Sequence, residues 1–266
     1  MTEFLAVLAL GLLLGMRHAT DADHVVAVTT IVTRQRSPRA AAMVGMAWGV
    51  GHTLTILVVG GAIIFFQWVI PPRVGLSMEF AVAGMLVLLG VLNLGGVLKS
   101  IRDAAATRQA GGATPVHSHG DYVHAHAHAA EPAAHPHPAD RTPIGWLDRQ
   151  LGALRAYRLV RPLLIGVVHG LAGSAAVALL VLTTIRDPRW SLVYLLLFGV
   201  GTIVGMMLIT AAMAVPMAYS AARFDRVSHG LRLASGILSI GFGLFLAYQI
   251  GIVDGLFGDS PRWDPH

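Results

Sequence analysis

The run His18-Ala-Thr-Asp-Ala-Asp-His24 gathers two imidazoles and two carboxylates in the middle of an apolar stretch from Glu3 to Thr33. An ionised side chain left unpaired in a bilayer core costs roughly 2.5 to 3.5 kcal/mol, so such a cluster needs a compensating partner. A divalent transition-metal ion satisfies imidazole and carboxylate at once. On an ideal helix His18, Asp21 and His24 share one arc, and Asp23 points away from it. Asp23 therefore either pairs with something else, such as Arg17, or the helix breaks locally and brings it to the ion. Ala19, Thr20 and Ala22 do not by themselves force a break. His18 lies about halfway between Glu3 and Arg34, roughly 22 to 24 Å from either along a helix, which puts the cluster at mid-depth. His52, thirteen residues past Arg39 and followed by Thr53 and Thr55, falls at comparable depth in the next stretch and joins the ligand candidates.

The elements that must hold these groups are membrane helices. Of 266 residues, 55% are hydrophobic and 12% charged, and mean hydropathy is +0.66, too little polar surface for a soluble domain of this size. Six apolar spans stand out: Glu3 to Thr33, Ala40 to Trp68, Met78 to Leu98, Pro162 to Thr184, Trp190 to Tyr219 and Gly230 to Val253. The first is long, and pieces cut at its polar cluster are too short to cross alone, so it is expected to make one broken or tilted crossing. The start Met1-Thr2-Glu3 lacks the basic residues of a cleavable signal. Absence of cysteine removes disulfides, thiolate ligands and iron–sulfur clusters.

Net charge is +5, but the basic residues lie in loops between spans, which reads as membrane topology and not as nucleic-acid binding. Fourteen Lys and Arg residues sit in one set of alternate loops (Arg34, Arg36, Arg39, Lys99, Arg102, Arg108, Arg141, Arg149, Arg155, Arg158, Arg161, Arg223, Arg226, Arg232). The other set has four, Arg73, Arg186, Arg189 and Arg262. The positive-inside rule then places both termini outside the cell membrane.

Residues 99–161 form a polar connection rich in Ala, Pro, Gly and His, expected to be cytoplasmic and largely disordered. His117, His119, His124, His126, His128, His135 and His137 crowd it, and alternate-residue spacing lets several imidazoles converge on one ion. On either side, residues 1–98 and 162–266 resemble each other. Gly15-Met-Arg-His18 matches Gly166-Val-Val-His169, Gly49-Val-Gly-His52 matches Gly199-Val-Gly-Thr202, and Ala83-Gly-Met-Leu86 matches Ser235-Gly-Ile-Leu238, at offsets of 151, 150 and 152. Three spans per copy make the copies run in opposite senses, so the expected fold is all-α and polytopic, with six transmembrane helices as two inverted three-helix repeats. His169 then stands where His18 stands, while the counterpart of Asp23 is Ser174. Methionines such as Met206 and Met213 read as packing rather than a copper path.

Arg17-His18-Ala19-Thr20-Asp21-Ala22-Asp23-His24 resembles the first signature of the nickel/cobalt transporter family, and Gly51-His52-Thr53 resembles its second. The resemblance implies nickel binding and transport by His18, Asp23 and His24, with His52 assisting. The larger permeases of that family have eight spans and further acidic signatures that this chain lacks. The six-span nickel-transport branch, often found beside urease genes, is the better likeness, and Val168-His-Gly-Leu-Ala-Gly-Ser-Ala176 is similar to its fourth helix.

No P-loop pattern occurs and Lys99 is the only lysine, so the chain is not itself an ATPase of that type. The expected activity is secondary uptake of Ni²⁺ or Co²⁺ through His18, Asp21, Asp23, His24, His52 and His169, with no resident cofactor. Besides the ion and the lipid bilayer, a second copy of the chain and a cytoplasmic metallochaperone are the partners considered. Efflux is the alternative direction; a membrane haem or electron-transfer protein, and a membrane-anchored metal store or sensor using the histidine loop, are the alternatives of other classes.

Overall fold

The computed structural model describes residues 2–32, 37–66, 70–109, 116–119, 122–125, 157–171, 185, 187–223 and 225–263. Seven α-helices are present among them: α1 Thr2–His18, α2 Ala22–Val32, α3 Pro38–Phe66, α4 Pro72–Gln109, α5 Tyr157–His169, α6 Pro188–Arg223 and α7 Asp225–Tyr248. A π-helical turn, Gln249–Val253, follows α7. The segments Pro38–Phe66, Pro72–Leu98, Pro188–Pro216 and Gly230–Val253 are each long and apolar enough to cross a bilayer. Leu54, Val58, Leu88, Leu164, Leu196 and Leu208 point outward and are exposed, an apolar surface that lipid covers. The chain is a multi-pass membrane protein.

Helix starts follow from local chemistry. Proline at the first position of α3, α4 and α6 has no amide to leave unpaired, and its fixed φ suits a first turn. Ser37 caps α3 by accepting from the Ala40 amide at 3.2 Å, and Asp187 caps α6 by accepting from the Arg189 amide at 2.9 Å.

The first apolar stretch does break. α1 stops at His18, a turn covers Ala19–Asp21, and α2 begins at Ala22. The motif itself satisfies this turn: the Thr20 amide and hydroxyl both donate to the Arg17 carbonyl (2.8 and 2.5 Å), and the Asp21 amide donates to the His18 carbonyl at 3.1 Å. The fourth stretch, read from sequence as one span from Pro162, also departs from a continuous helix. α5 ends at His169 and turns at Gly170-Leu171; residues 172–184 lie outside the described set. Within 99–161, expected to lack regular elements, α4 continues to Gln109 and Val116–His119 pairs antiparallel with Tyr122–Ala125.

α3 and α6 form the central pair; α1 lies along α6, α5 along α3, and α4 along α7. Missing side chains allow the closest approaches. A Cβ on Gly15 would strike the Phe198 carbonyl, and one on Gly166 would strike that of Trp48; likewise Gly201 abuts the Leu12 carbonyl and Gly51 that of Leu163. Polar side chains add cross-helix bonds: Thr53 Oγ1 donates to Gly199 O (3.2 Å), Asn93 Nδ2 to Arg232 O and Ser235 Oγ (3.0 and 2.9 Å), and Ser239 Oγ to Leu86 O (2.7 Å). After the π-helical turn, Gly255 adopts φ 77° and the chain folds back, laying the Trp263 indole over Gly75.

Candidate metal site

All six candidate ligands of the membrane part converge where α1, α2, α3 and α5 meet. His24, His52 and His169 are completely buried and His18 nearly so. α1 delivers His18 at its last residue and α5 delivers His169 at its last residue, so two helix C-termini, with their partial negative charge, end at the cluster. Such an arrangement favours a cation. His24 comes from the first turn of α2 and His52 from the middle of α3.

The break decides what Asp23 does. In an unbroken helix it would face away from His18 and His24; on a new helix it lies inside the cluster. Its Oδ1 accepts from the His24 backbone amide (2.9 Å) and lies 3.0 Å from His24 Nδ1, while its Oδ2 lies 3.0 Å from His169 Nε2. Arg17, the other partner considered for Asp23, is exposed. Asp21 Oδ2 lies 2.8 Å from His18 Nδ1. Its side chain is 39% exposed against 14% for Asp23.

A carboxylate only accepts, so these contacts assign the imidazole protons. His18 donates from Nδ1 to Asp21, His24 from Nδ1 to Asp23, and His169 from Nε2 to Asp23. The opposite nitrogens, His18 Nε2, His24 Nε2 and His169 Nδ1, then carry lone pairs. His18 Nε2 lies 2.8 Å from His52 Nε2, which makes the latter the donor of that pair and leaves His52 Nδ1 with a lone pair. Among the described residues, His24 Nε2, His52 Nδ1 and His169 Nδ1 are buried without a hydrogen-bond partner. Buried acceptors are normally paired, and an ion or an ordered water is what can satisfy nitrogens placed in this way. Carboxylates that hold the far side of an imidazole and fix its tautomer are the usual support of metal-ligating histidines.

Two groups bring their ligand atoms within 4.8 Å of one another: His18, His24 and His52; and Asp23, His24 and His169. They share His24. Bonds of about 2.05 Å to one ion separate neighbouring nitrogens by roughly 2.9 to 3.3 Å, so the His18–His52 pair needs to open by only a few tenths of an ångström, with the His52 proton moving from Nε2 to Nδ1 so that Nε2 can ligate.

In the connection between the halves, His117 stands opposite His124 and His119 opposite Tyr122 in the two-stranded ribbon. His126, His128, His135 and His137 lie outside the described residues. Sequence reasoning passed over two residues beside the cluster. The Trp48 ring stacks on His24 (centroids 6.1 Å apart) and meets His169 edge-on at 5.4 Å, and the Phe198 ring lies 5.5 Å from His18. One signal could have found them: each is the aromatic residue directly before the matching Gly-Val-Gly tripeptides, Gly49–Gly51 and Gly199–Gly201.

No family profile matches the chain, and no solved structure does. It is similar to the urease accessory protein UreH of Bacillus sp. (strain TB-90), 32% identical over 255 residues, which cover 96% of each chain. A likeness of that depth along the full span of both proteins makes this chain a member of the UreH family.

Proposed function

We propose that the protein is a secondary permease that carries Ni²⁺, with Co²⁺ as the second candidate, into the cell through the His/Asp cluster. The observation that carries this reading is the pair of buried imidazoles, His24 and His169, whose far nitrogens are held by Asp23 and whose other nitrogens have no partner among the described residues, with His18, itself held by Asp21, and His52 beside them. The relative is named as a urease accessory protein, and the Arg17–His24 run resembles the nickel/cobalt transporter signature, so the cargo is read as nickel supplied in a urease-associated role.

The two halves are read as inverted repeats on six crossings. In support, α1 packs on α6 as α5 packs on α3, which is the same relation with the halves exchanged. The glycine contacts recur in the same way: Gly15 on Phe198 with Gly166 on Trp48, and Gly201 on Leu12 with Gly51 on Leu163, at sequence offsets of 150 or 151. The caps Ser37-Pro38-Arg39 and Asp187-Pro188-Arg189 add a fourth pair at 150. Both broken helices then end at the site from opposite sides, the arrangement from which rocking of one half exposes an ion alternately.

Uptake needs no ATP. An inside-negative potential contributes about 2.3 kcal/mol per charge per 100 mV, hence about 4.6 kcal/mol for a dication, or about three decades of concentration. The ion sheds water for the open imidazole nitrogens, and the histidine-rich connection, on the cytoplasmic side by the charge count, receives it. In this reading both termini lie outside.

The test is metal flux into proteoliposomes carrying wild type or His24→Ala, with nickel, cobalt and zinc compared at two membrane potentials. Wild type should transport nickel faster at the larger inside-negative potential, and His24→Ala should lose most of that flux. Equal flux in both proteins would overturn the assignment.

A further inference from the structure

Building on that reading, we propose that Phe198 and Trp48 are the two closures of the metal site, each separating it from one face of the membrane. α3 and α6 run antiparallel: Gly45 meets Met206 and Thr210, Gly49 meets Ile203, Thr53 meets Gly199, and Gly60 meets Leu195. In that register Trp48 lies one turn from His52 toward the Pro38 end of α3. Phe198 lies on the other side of His52, toward the Pro188 end of α6. The two ends belong to opposite faces.

Ring contacts run in the same order across the site. Phe198 touches His18 (5.5 Å), His18 touches His24 and His52 (4.7 and 4.9 Å), His24 touches His169 (4.2 Å), and His169 touches Trp48 (5.4 Å). Both aromatic rings are buried, Phe198 at 2% and Trp48 at 0% exposure. Of the two ligand groups, one contains His18, which touches Phe198, and the other His169, which touches Trp48; the shared His24 lies between them and also stacks on Trp48 at 6.1 Å. An ion passing from one group to the other through the shared His24 therefore has one ring ahead of it and one behind. Each closure is also tied to a half-helix, because Gly15 of α1 seats directly on the Phe198 backbone and Gly166 of α5 on that of Trp48. Displacing either half-helix displaces the ring. The closures are unequal in one respect: the Trp48 Nε1–H is buried without an acceptor among the described residues, a cost that water admitted on opening relieves.

The absence of cysteine makes the test direct, since His52→Cys in the otherwise native chain is the lone thiol and sits at the cluster. Its modification by a membrane-impermeant thiol reagent is timed from each face of sealed vesicles in the presence of a chelator. Ser37→Cys and Asp187→Cys, both at exposed positions beside the two helix starts, identify the faces. Modification follows the population of the open state, so Phe198→Ala should raise the rate at least about tenfold from the Asp187 face alone, and Trp48→Ala from the Ser37 face alone. Phe198→Val and Trp48→Leu should show the same face selectivity with a smaller rise, which keeps the pattern testable if an alanine variant does not fold. Trp48→Phe retains a ring and should leave the reporter shielded. Acceleration from both faces, from the wrong face, or from neither in folded variants would overturn the proposal. Nickel binding by wild type and by the Phe198 and Trp48 variants, each with His52 intact, is measured in parallel: its absence from wild type would sink the permease reading, while the accessibility pattern judges the closures.

Discussion

Asp23→Asn is the substitution that most sharply tests how the cluster works. Asp23 serves two imidazoles at once, His24 Nδ1 through one oxygen and His169 Nε2 through the other, both at 3.0 Å. An asparagine side chain accepts at one end and donates at the other, so one imidazole faces a donor where it had an acceptor. That ring either loses the bond or moves its proton to its other nitrogen, the one the proposed site offers to the ion, and an N–H cannot ligate. Replacing a group that supports one ligand typically weakens metal binding 10- to 100-fold. With two imidazoles resting on Asp23, the expected loss is near the upper end, about 30- to 100-fold, or about 2 to 3 kcal/mol. Asp21→Asn is the internal comparison. Asp21 holds only His18 and is 39% exposed, so water replaces part of what is removed, and the loss should stay below about tenfold. Titration calorimetry of the purified proteins with Ni²⁺ reads both numbers. Binding by Asp23→Asn within about threefold of wild type, or an Asp21→Asn loss as large as that of Asp23→Asn, would refute the assignment of the two carboxylates.

Further outcomes are expected for the scaffold. Gly166→Ala should lower the thermal unfolding midpoint in detergent, because its Cβ collides with the Trp48 carbonyl; overpacking of this kind costs about 1 to 3 kcal/mol. Gly61→Ala, with none of the described residues within 4 Å of the new methyl, should instead raise it through about 0.5 to 1 kcal/mol of helix propensity. Asn93→Leu removes the two bonds from α4 to Arg232 O and Ser235 Oγ, and should cost about 1 to 2 kcal/mol in the same assay while leaving nickel affinity unchanged. Trp263→Phe keeps a ring over Gly75 but gives up the 2.9 Å bond to Glu79 Oε1, so it should cost about 1 kcal/mol, again without effect on the ion. Unchanged melting for Gly166→Ala would mean that α5 and α3 do not approach as closely as described.

The chemistry of the site is legible in the sequence wherever depth and residue type suffice. Acids and imidazoles stand out against an apolar span, counting from the basic loops puts His52 at the level of His18, and the 151-residue offset locates His169. What local patterns do not reveal is set by contacts distant in sequence. Ala19, Thr20 and Asp21 are ordinary helix residues, and their turn is held by the Thr20 hydroxyl, by the His18–Asp21 pair, and by α6, where Gly205 makes room for the Ala19 methyl. The turn after His169 is equally hidden, because Gly170 reads as a membrane-helix contact until its seat against the His52 backbone is seen. Periodicity misplaces Asp23 for the same reason: the helical wheel assumes one continuous helix, whereas α2 restarts the phase and brings the carboxylate between His24 and His169. Trp48 and Phe198 look like packing, since an aromatic ring in an apolar span has no local mark of what it touches. The two breaks inside the apolar stretches, after His18 and after His169, thus coincide with the polar cluster, whereas the π-helical turn at Gln249–Val253 lies elsewhere. The breaks occur where α1 and α5, each sound by local rules, end so that their carbonyl ends and last histidines face a common point, an arrangement whose partial negative charge suits a cation.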